Sequence, residues 1–332
     1  MHKTILLGLL LGLGVAAQAA GPPEASISNG VLRARLYLPD PVNGYYRGTR
    51  FDWSGAISSL EFKGHNYFGK WFPEYDPKLH DSVPGPVEEF RTGNSALNYD
   101  EAKPGETFVK IGVGVLKRPQ EERYAFRNPY ELLDTGKWSV RKGADFVEFT
   151  HELKDPKSGY AYVYRKTVRL VKGKPQMVLE HNLRNTGSKA IDTNVYNHQF
   201  YMLDSEPTGP DFTVTFPFEI KGAGAMGGFA QARGNQIIYL KTLEEDAAGR
   251  QTASSAIEGY GPDPKDFDIR VENRKTGAGV RVRGDRPLWR IFFWSIRTTV
   301  CPEAYVAMKV DPGKDVSWNL TYDFYTVGGS GK

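Results

Sequence analysis

Four segments of the sequence combine aromatic residues with polar side chains that could do chemistry. In residues 45–53, two arginines and an aspartate stand among four aromatic residues: Arg47, Arg50 and Asp52 are the polar ones. Aromatic faces stack on the C–H groups of a polyhydroxylated ring, while guanidinium and carboxylate groups bind its hydroxyls. The same composition fits a surface hairpin with a local Arg–Asp ion pair. Composition alone does not decide between these two interpretations.

One histidine and one glutamate are the candidates for acid–base chemistry. His198 is flanked by Asn197 and Gln199, so a strand at this point presents polar groups on both faces, which is unusual in a core. Glu303 lies in an apolar run just before Tyr305. Burial without a partner raises the pKa of a carboxyl into the range of a general acid or base. The alternatives are a satisfied core histidine and a strand-edge glutamate that faces solvent.

The fourth segment, residues 71–81, is rich in aromatic and acidic residues and contains His80. We expect it to form a loop over the same face of the fold. The remaining histidines have no comparable setting, and neither H-x-H nor H-E-x-x-H spacing occurs. The sequence therefore gives no support for a catalytic metal.

Cys301 is the only cysteine of the sequence. A single cysteine excludes an intramolecular disulfide and zinc sites of the C-x-x-C kind. Its apolar neighbours predict a buried, unreactive thiol rather than a nucleophile.

The elements that must position these segments are strands. Apolar and polar residues alternate with period two in residues 31–38, 147–153, 160–171, 176–183 and 318–324, and residues 270–273 and 280–283 flank a turn typical of a hairpin. The one candidate helix, residues 243–255, is weakly amphipathic. The absence of βαβ units and of a Gly-rich phosphate loop argues against a nucleotide-binding α/β fold. We therefore predict an all-β fold, a large antiparallel β-sandwich in a single domain.

The composition fits this prediction. The chain has 332 residues, of which 40% are hydrophobic and 13% aromatic, and these fractions exclude a disordered or collagen-like chain. The 43 basic and 39 acidic residues give a formal net charge of +4 that is spread along the chain. A nucleic-acid-binding protein would more often show a basic stripe, so we expect no nucleic-acid partner.

The first nineteen residues have the features of a signal peptide. A short basic start is followed by an apolar stretch and by Ala17-Gln18-Ala19, an A-x-A cleavage site. A membrane anchor is the alternative, but the apolar run is short for a span and contains three glycines. We expect a signal peptide at residues 1–19, a sandwich domain at 20–327 and a flexible tail at 328–332. The expected location is periplasmic or secreted, with no stable membrane anchor after cleavage.

Several segments resemble the aldose 1-epimerase (galactose mutarotase-like) family. Residues 197–204, NHQFYMLD, resemble the family's N-H-x-Y-F-N-L stretch, whose histidine is the catalytic acid. Residues 300–303, VCPE, followed by VDPGK at 310–314, resemble the catalytic glutamate and the turn after it. Residues 179–187 and the closing LTYDF at 320–324 are similar to further strands of that family. The resemblance implies a galactose mutarotase-like supersandwich.

The resemblance also implies a reaction, the interconversion of the α and β anomers of a sugar. Glu303 is then the base that takes the anomeric O–H proton, and His198 is the acid that protonates the ring oxygen. This reaction needs no cofactor. The expected substrate-binding residues are Arg47, Arg50, Asp52, His80, Asn197 and Tyr305. We expect His198 and Glu303 to face one cavity, roughly 5–8 Å apart, so that they straddle the sugar.

The sequence departs from the family at two motifs: the P-F-D-F aspartate has only a loose counterpart at residues 264–268, and no L-H-G-G histidine is present. His80 takes its place, or that role is absent. The expected partner is a small-molecule sugar or the end of a glycan, and the oligomeric state is not defined. Two alternatives stay open: a polysaccharide lyase or glycoside hydrolase on the same fold, and a non-catalytic carbohydrate-binding envelope protein.

Overall fold

A computed structural model describes residues 21–246 and 249–328 of the chain. The predicted signal peptide and residues 329–332 of the predicted tail lie outside the described residues. The described strands are β1 (Glu24–Ser28), β2 (Arg33–Tyr37), β3 (Ile57–Phe62), β4 (His65–Asn66), β5 (Val87–Arg91), β6 (Thr107–Lys110), β7 (Gly114–Lys117), β8 (Glu131–Asp134), β9 (Lys137–Lys142), β10 (Phe146–Asp155), β11 (Tyr160–Leu170), β12 (Gln176–Asn185), β13 (Ile191–His198), β14 (Phe212–Thr215), β15 (Ala230–Arg233), β16 (Gln236–Tyr239), β17 (Glu245–Asp246), β18 (Gly249–Arg250), β19 (Ala253–Ile257), β20 (Asp268–Asn273), β21 (Ala278–Gly284), β22 (Arg290–Ile296), β23 (Thr299–Val310) and β24 (Asp315–Thr326).

Helical structure in the described part of the chain is confined to 3₁₀ turns of three residues each, at Leu203–Ser205, Met226–Gly228 and Pro264–Asp266. None of the described helices is long and apolar enough to cross a membrane. The all-β prediction is therefore confirmed.

Two large sheets form the body of the fold. One has ten strands in the order β15-β16-β14-β20-β21-β24-β12-β11-β10-β9, and the other has five in the order β19-β22-β23-β13-β5. All the strand pairs described in these two sheets are antiparallel. The predicted strands correspond to β2, β10, β11, β12 and β24, and the predicted hairpin is β20–β21.

The two sheets pack face to face because their strands bury alternate side chains. In β10, Val147, Phe149 and Leu153 are buried, and the residues between them are more exposed. Across the sandwich, the Phe90 ring of the five-stranded sheet lies 5.2 Å from the ring of Tyr164 in the ten-stranded sheet. Burying each large apolar side chain contributes roughly 1.5–3 kcal/mol, and this interface holds the sheets together.

The outer face of the five-stranded sheet is covered by loops and by the small β6-β7-β8 sheet, which form a second hydrophobic cluster with it. Trp71, from the loop predicted to cover this face, stacks on Phe200 with 4.4 Å between ring centroids and lies 6.0 Å from the Trp294 ring. The prediction that residues 71–81 form such a loop is confirmed. These loops and the outer face of the sheet enclose the site described below.

The predicted helix at residues 243–255 is wrong. The segment contains β17, β18 and the start of β19, and β19 is an edge strand of the five-stranded sheet. Ala253, Ser255 and Ile257 are buried at every second position, which is the period of a strand rather than of a helix. Gly249 has a φ of +119°, a conformation that L side chains rarely adopt and that does not occur inside a helix.

Candidate active site

Three adjacent strands, β13, β23 and β22, place their polar residues on the outer face of the five-stranded sheet. Tyr196 is paired with Tyr305 in register, and the same register brings His198 opposite Glu303. These side chains lie at a cavity of about 360 Å³, within the range of roughly 300–1,000 Å³ typical of small-molecule sites. The lining residues are Arg50, Asp81, Arg91, Phe126, Arg127, Tyr196, His198, Arg250, Thr252, Arg290, Phe292, Trp294, Glu303 and Tyr305.

His198 and Glu303 are in direct contact. Nε2 of His198 lies 3.2 Å from Oε1 of Glu303, and the two residues are only 4% and 5% exposed. The expected separation of 5–8 Å is therefore wrong, although both residues do face one cavity. The reason is their position on neighbouring strands, because directly opposite side chains of an antiparallel pair are close enough to touch.

Neighbouring side chains fix the orientation of this pair. The hydroxyl of Tyr305 donates a hydrogen bond of 3.1 Å to Oε2 of Glu303. The imidazole of His198 stacks on Phe200 with 3.7 Å between ring centroids, and Trp294 packs edge-on at 5.5 Å. Both groups are thus positioned before any ligand binds, which favours proton transfer at a defined point.

Burial determines where the proton of the pair lies. Burial raises the pKa of Glu303 to about 8, although Arg50 and the hydrogen bond from Tyr305 act in the opposite direction. Burial also lowers the pKa of His198 well below its ordinary value, and the charge of Arg50 adds to this effect. At neutral pH the pair therefore holds one proton and no net charge, with the proton on Glu303.

Arg50 lies at the cavity wall, as predicted, and its donors are bound to neighbouring residues. It donates to Oε2 of Glu89 at 2.8 Å and to the hydroxyl of Tyr196 at 3.0 Å, and it forms an ion pair with Asp81. Burial opposes the ionisation of Asp81, but Arg50 and His80 outweigh it and lower the pKa of Asp81 to about 2. Asp81 is therefore an ionised carboxylate in the same cavity as the protonated Glu303.

Two predicted substrate-binding residues lie on the wrong side of the sheet. Asn197 follows the strand alternation and points away from His198, and its Nδ2 donates to Oε1 of Glu88 at 2.9 Å. Asp52 is buried where its carboxylate accepts hydrogen bonds from Ser54, and burial raises its pKa to about 7. Both side chains belong to a polar cluster between the sheets, so neither lines the cavity.

Arg47 and His80 are also absent from the lining of this cavity. Arg47 is half-buried in the covering loop, and its backbone N–H donates to the carbonyl of Pro77. Nε2 of His80 lies 3.0 Å from Oδ2 of Asp81, so His80 supports a cavity residue from outside. Of the eight predicted site residues, His198, Glu303, Arg50 and Tyr305 are the ones brought together.

Sequence reasoning missed the remaining charged residues of the cavity. Arg91, Arg127, Arg250 and Arg290 come from four separate parts of the chain, and no local motif connects them. Asp81 was the detectable one, because it ends the aromatic and acidic segment at residues 71–81. Within residues 21–246 and 249–328, no three His, Cys, Asp or Glu side chains form a group that could hold a metal ion.

Size alone does not select this cavity, because a depression of about 510 Å³ lies around Pro119, Glu121 and Tyr130. The distinguishing feature is the buried pair of titratable groups with displaced pKa values, which is typical of functional sites.

Comparison with known proteins identifies the fold. No family model and no curated protein matches this chain. Among solved structures, it is similar to a galactose mutarotase related enzyme from Lactobacillus acidophilus (TM-score 0.54, 12% identity, 91% of this chain and 97% of that one). It is also similar to a galactose mutarotase-like protein from Lactobacillus casei ATCC 334 (TM-score 0.54, 13% identity, 91% of this chain and 100% of that one). An aldose epimerase homologue from C. elegans is a third similar structure (TM-score 0.53, 15% identity, 93% of this chain and 100% of that one).

The fold is therefore the galactose mutarotase-like antiparallel sandwich, and the resemblance to the aldose 1-epimerase family is confirmed at the level of fold. At such low identities the similarity extends to the architecture and not to the substrate.

Proposed function

We propose that the chain is an isomerase that interconverts the α and β anomers of a sugar. The observation that supports this proposal best is the contact between His198 and Glu303, which together hold one proton at the wall of a cavity of small-molecule size. Ring opening needs one group that takes a proton and one that gives a proton, and it needs nothing else.

A pair in direct contact can serve this reaction because the two reacting oxygens are close together. The anomeric oxygen and the ring oxygen are bound to the same carbon, so the acid and the base do not have to straddle the ring. In our proposal Glu303 takes the anomeric proton and His198 protonates the ring oxygen, after the shared proton moves from Oε1 to Nε2 along their 3.2 Å contact. Ring closure on the other carbonyl face reverses both transfers.

The test is the rate of anomerisation of a panel of neutral and acidic aldoses, measured by NMR exchange or polarimetry. Glu303→Gln keeps the shape of the side chain but removes the titratable group, so the rate should fall by at least ~10²-fold with little change in sugar affinity. His198→Asn should have the same effect. The double variant should be little worse than either, because the two groups act as one unit.

The matched control is Glu131→Gln, which changes an exposed carboxylate on β8, away from the cavity. It should leave the rate unchanged. Full activity of Glu303→Gln on a sugar that the wild type turns over would disprove the assignment.

A second candidate, cleavage of a glycosidic bond, is favoured by Asp81. The cavity combines an ionised Asp81 with a protonated Glu303, and hydrolysis by two carboxyl groups needs one of each. New reducing ends, or unsaturated uronates in the case of a lyase, would support this candidate. If neither cleavage nor faster anomerisation is found but sugars bind, the chain is a binding protein.

We also propose that the enzyme acts outside the cytoplasm, on the basis of the signal-peptide features of residues 1–19. N-terminal sequencing of the protein from its native host should find Ala20 as the first residue. Recovery of Met1 in a membrane fraction would contradict the proposal.

A further inference from the structure

The cavity carries far more positive than negative charge. Five arginines line it, against two acidic side chains, Asp81 and Glu303. Of these two, Glu303 is protonated at neutral pH, so only Asp81 contributes a negative charge. A site built only for neutral hydroxyl groups does not need an excess of positive charge, because uncharged carbonyl, amide and hydroxyl groups of a protein also bind hydroxyls.

Three of the arginines have a carboxylate within 4.0 Å. Arg50 is paired with Asp81 and Glu89, and Nε of Arg91 lies 3.9 Å from Oε1 of Glu89. Nε of Arg250 lies 3.1 Å from Oε1 of Glu245. These pairs explain why the three side chains are held where they are.

Arg127 and Arg290 are different. Among the side chains that the structure describes, neither has a carboxylate within 4.0 Å. The guanidinium group of Arg290 lies 5.4 Å from the ring centroids of both Phe292 and Tyr305, and that of Arg127 lies 5.4 Å from the Phe126 ring. These rings pack against the guanidinium groups, and in the described part of the chain the N–H donors of both arginines stay available for a ligand in the cavity.

Arg290 is also close to the reacting groups. It is paired in register with Tyr305, whose hydroxyl contacts Glu303, and its charge acts directly on the Glu303 carboxyl. An anion bound by Arg290 would therefore belong to the same molecule as the reacting carbon, and not to a remote site.

We infer that the substrate is an anionic sugar, an aldose with a carboxylate, phosphate or sulfate group, and that Arg290 and Arg127 bind this group. That the anionic sugar is a substrate rests on the proposed function, whereas its binding by the two arginines does not. Guanidinium groups bind all three anions through paired N–H donors. The stacking on aromatic rings is the competing explanation, since it could orient the arginines without any anionic ligand.

The experiment compares sugars that differ only at carbon 6. Binding of galacturonate and galactose, and of glucuronate and glucose, is measured by calorimetry, with glucose 6-phosphate and glucose 6-sulfate as further probes. We expect a Kd at least roughly 10-fold lower for the acid than for the neutral sugar of the preferred pair. Added salt should weaken binding of the acid only.

Two variants and a control locate the effect. Arg290→Gln and Arg127→Gln should each raise the Kd of the acidic sugar by about 10-fold and leave that of its neutral partner unchanged. Arg233→Gln, which changes an exposed arginine of β15 outside the cavity, should change neither value. The comparison of uronates with the phosphate and the sulfate distinguishes the three anions.

The outcomes separate the inference from the proposed function. Faster anomerisation of the acidic sugars supports both the inference and the isomerase proposal. Tight binding of these sugars without faster anomerisation supports the inference, while the isomerase proposal fails. Faster anomerisation of neutral sugars with no preference for the acids overturns the inference and leaves the isomerase. Equal binding of acid and neutral sugars by the wild type and both arginine variants also overturns the inference.

Discussion

At the scale of single residues, the proton shared by His198 and Glu303 limits the pH range of the proposed reaction. Above a pH of about 8, Glu303 loses its proton while His198 is neutral, so the pair has no acid. At low pH, His198 gains a second proton for the pair, which then has no base. Catalysis needs one proton in total, and both limits follow from burial.

We predict a bell-shaped dependence of kcat/KM on pH. The alkaline limb should lie near pH 8 and the acidic limb well below 6.5, the ordinary pKa of histidine. The measurement is the anomerisation rate across pH after subtraction of the rate in buffer alone. Activity that continues to rise well above pH 8 would show that Glu303 does not carry the proton.

The variant Tyr305→Phe provides a second test of the pKa of the Glu303 carboxyl. The hydroxyl of Tyr305 donates to Glu303 and so favours the ionised carboxylate, which lowers the pKa of Glu303. Without this hydrogen bond the pKa should rise, and the alkaline limb should move to higher pH. A lower rate with an unmoved limb would mean that Tyr305 has only a packing role.

The types and settings of His198 and Glu303 singled out two residues that the structure brings into contact, but adjacency in the chain misled the prediction of the other site residues. Asn197 and His198 are neighbours in one strand, so they point to opposite faces, and only one of them can line the cavity. Strand alternation could have excluded Asn197 at once. Asp52 could not have been excluded, because its buried position depends on contacts distant in sequence: its backbone N–H donates to the carbonyl of Glu88, and the charge of Lys166 acts on its carboxyl.

At the scale of elements, a buried charge cluster joins the two sheets. Glu88 of β5 forms an ion pair with Lys166 of β11, and its Oε1 lies 2.8 Å from Nε2 of His181 in β12. Nζ of Lys166 also donates to the carbonyl of Ser54 at 2.8 Å. Burial opposes the ionisation of Glu88, but Lys166 and His181 outweigh it and lower the pKa of Glu88 to about 2.

We predict that Glu88→Gln lowers the free energy of unfolding by roughly 3–5 kcal/mol, because it leaves the charge of Lys166 buried without its partner. Lys166→Met should cost a similar amount. The double variant should recover much of the loss, since it removes both charges. Urea unfolding of the four proteins measures this coupling, and additive losses would contradict it.

The control variant lies outside this cluster, and the pH dependence of stability follows from Glu88 within it. Glu131→Gln breaks an exposed pair with Lys117 and should change the free energy of unfolding by no more than about 1 kcal/mol. The pKa of Glu88 in the folded protein lies below the ordinary value of 4.5. Its contribution to the free energy of unfolding is therefore present above pH 4.5 and is lost as the pH falls towards 2. Glu88→Gln should therefore be least harmful at low pH.

The strands themselves were largely predictable, and their partners were not. The period-two pattern identified β10, β11, β12 and β24, because each buries one face against a core. The same pattern was overlooked in β19, because the weakly amphipathic helix predicted at residues 243–255 ended inside this strand. The pairing of β5 with β13, which places Glu89 beside Tyr196, depends on long-range packing that no local pattern records.

At the scale of the whole molecule, the sandwich provides two environments on the two faces of one sheet. Glu88 and Glu89 are adjacent in β5, yet one lies between the sheets and the other behind the cavity wall. The first cluster holds the sheets together, and the second holds Arg50 at the site. Stability and the candidate chemistry therefore depend on separate sets of contacts, which can be changed separately.

The reactivity of Cys301 can connect the two faces of the five-stranded sheet, because Cys301 lies on the outer face and Glu88 on the inner face. The thiol is fully buried in the second hydrophobic cluster, two residues before Glu303 on the central strand β23, and burial raises its pKa. Because the thiolate is the reactive form, the native protein should react slowly with a thiol reagent. The protein unfolded in urea should react rapidly, at one thiol per chain.

We predict that labelling of Cys301 requires unfolding of the sandwich and not a local opening of the loops. Glu88→Gln, which acts on the opposite face of the sheet, should then accelerate labelling by roughly 100-fold or more, the factor by which it raises the unfolded population. Trp71→Ala is the contrasting variant, because it removes a ring from the cluster that covers Cys301. If Trp71→Ala accelerates labelling beyond its effect on unfolding while Glu88→Gln has none, the loops open on their own and the cavity is exposed without unfolding of the sandwich.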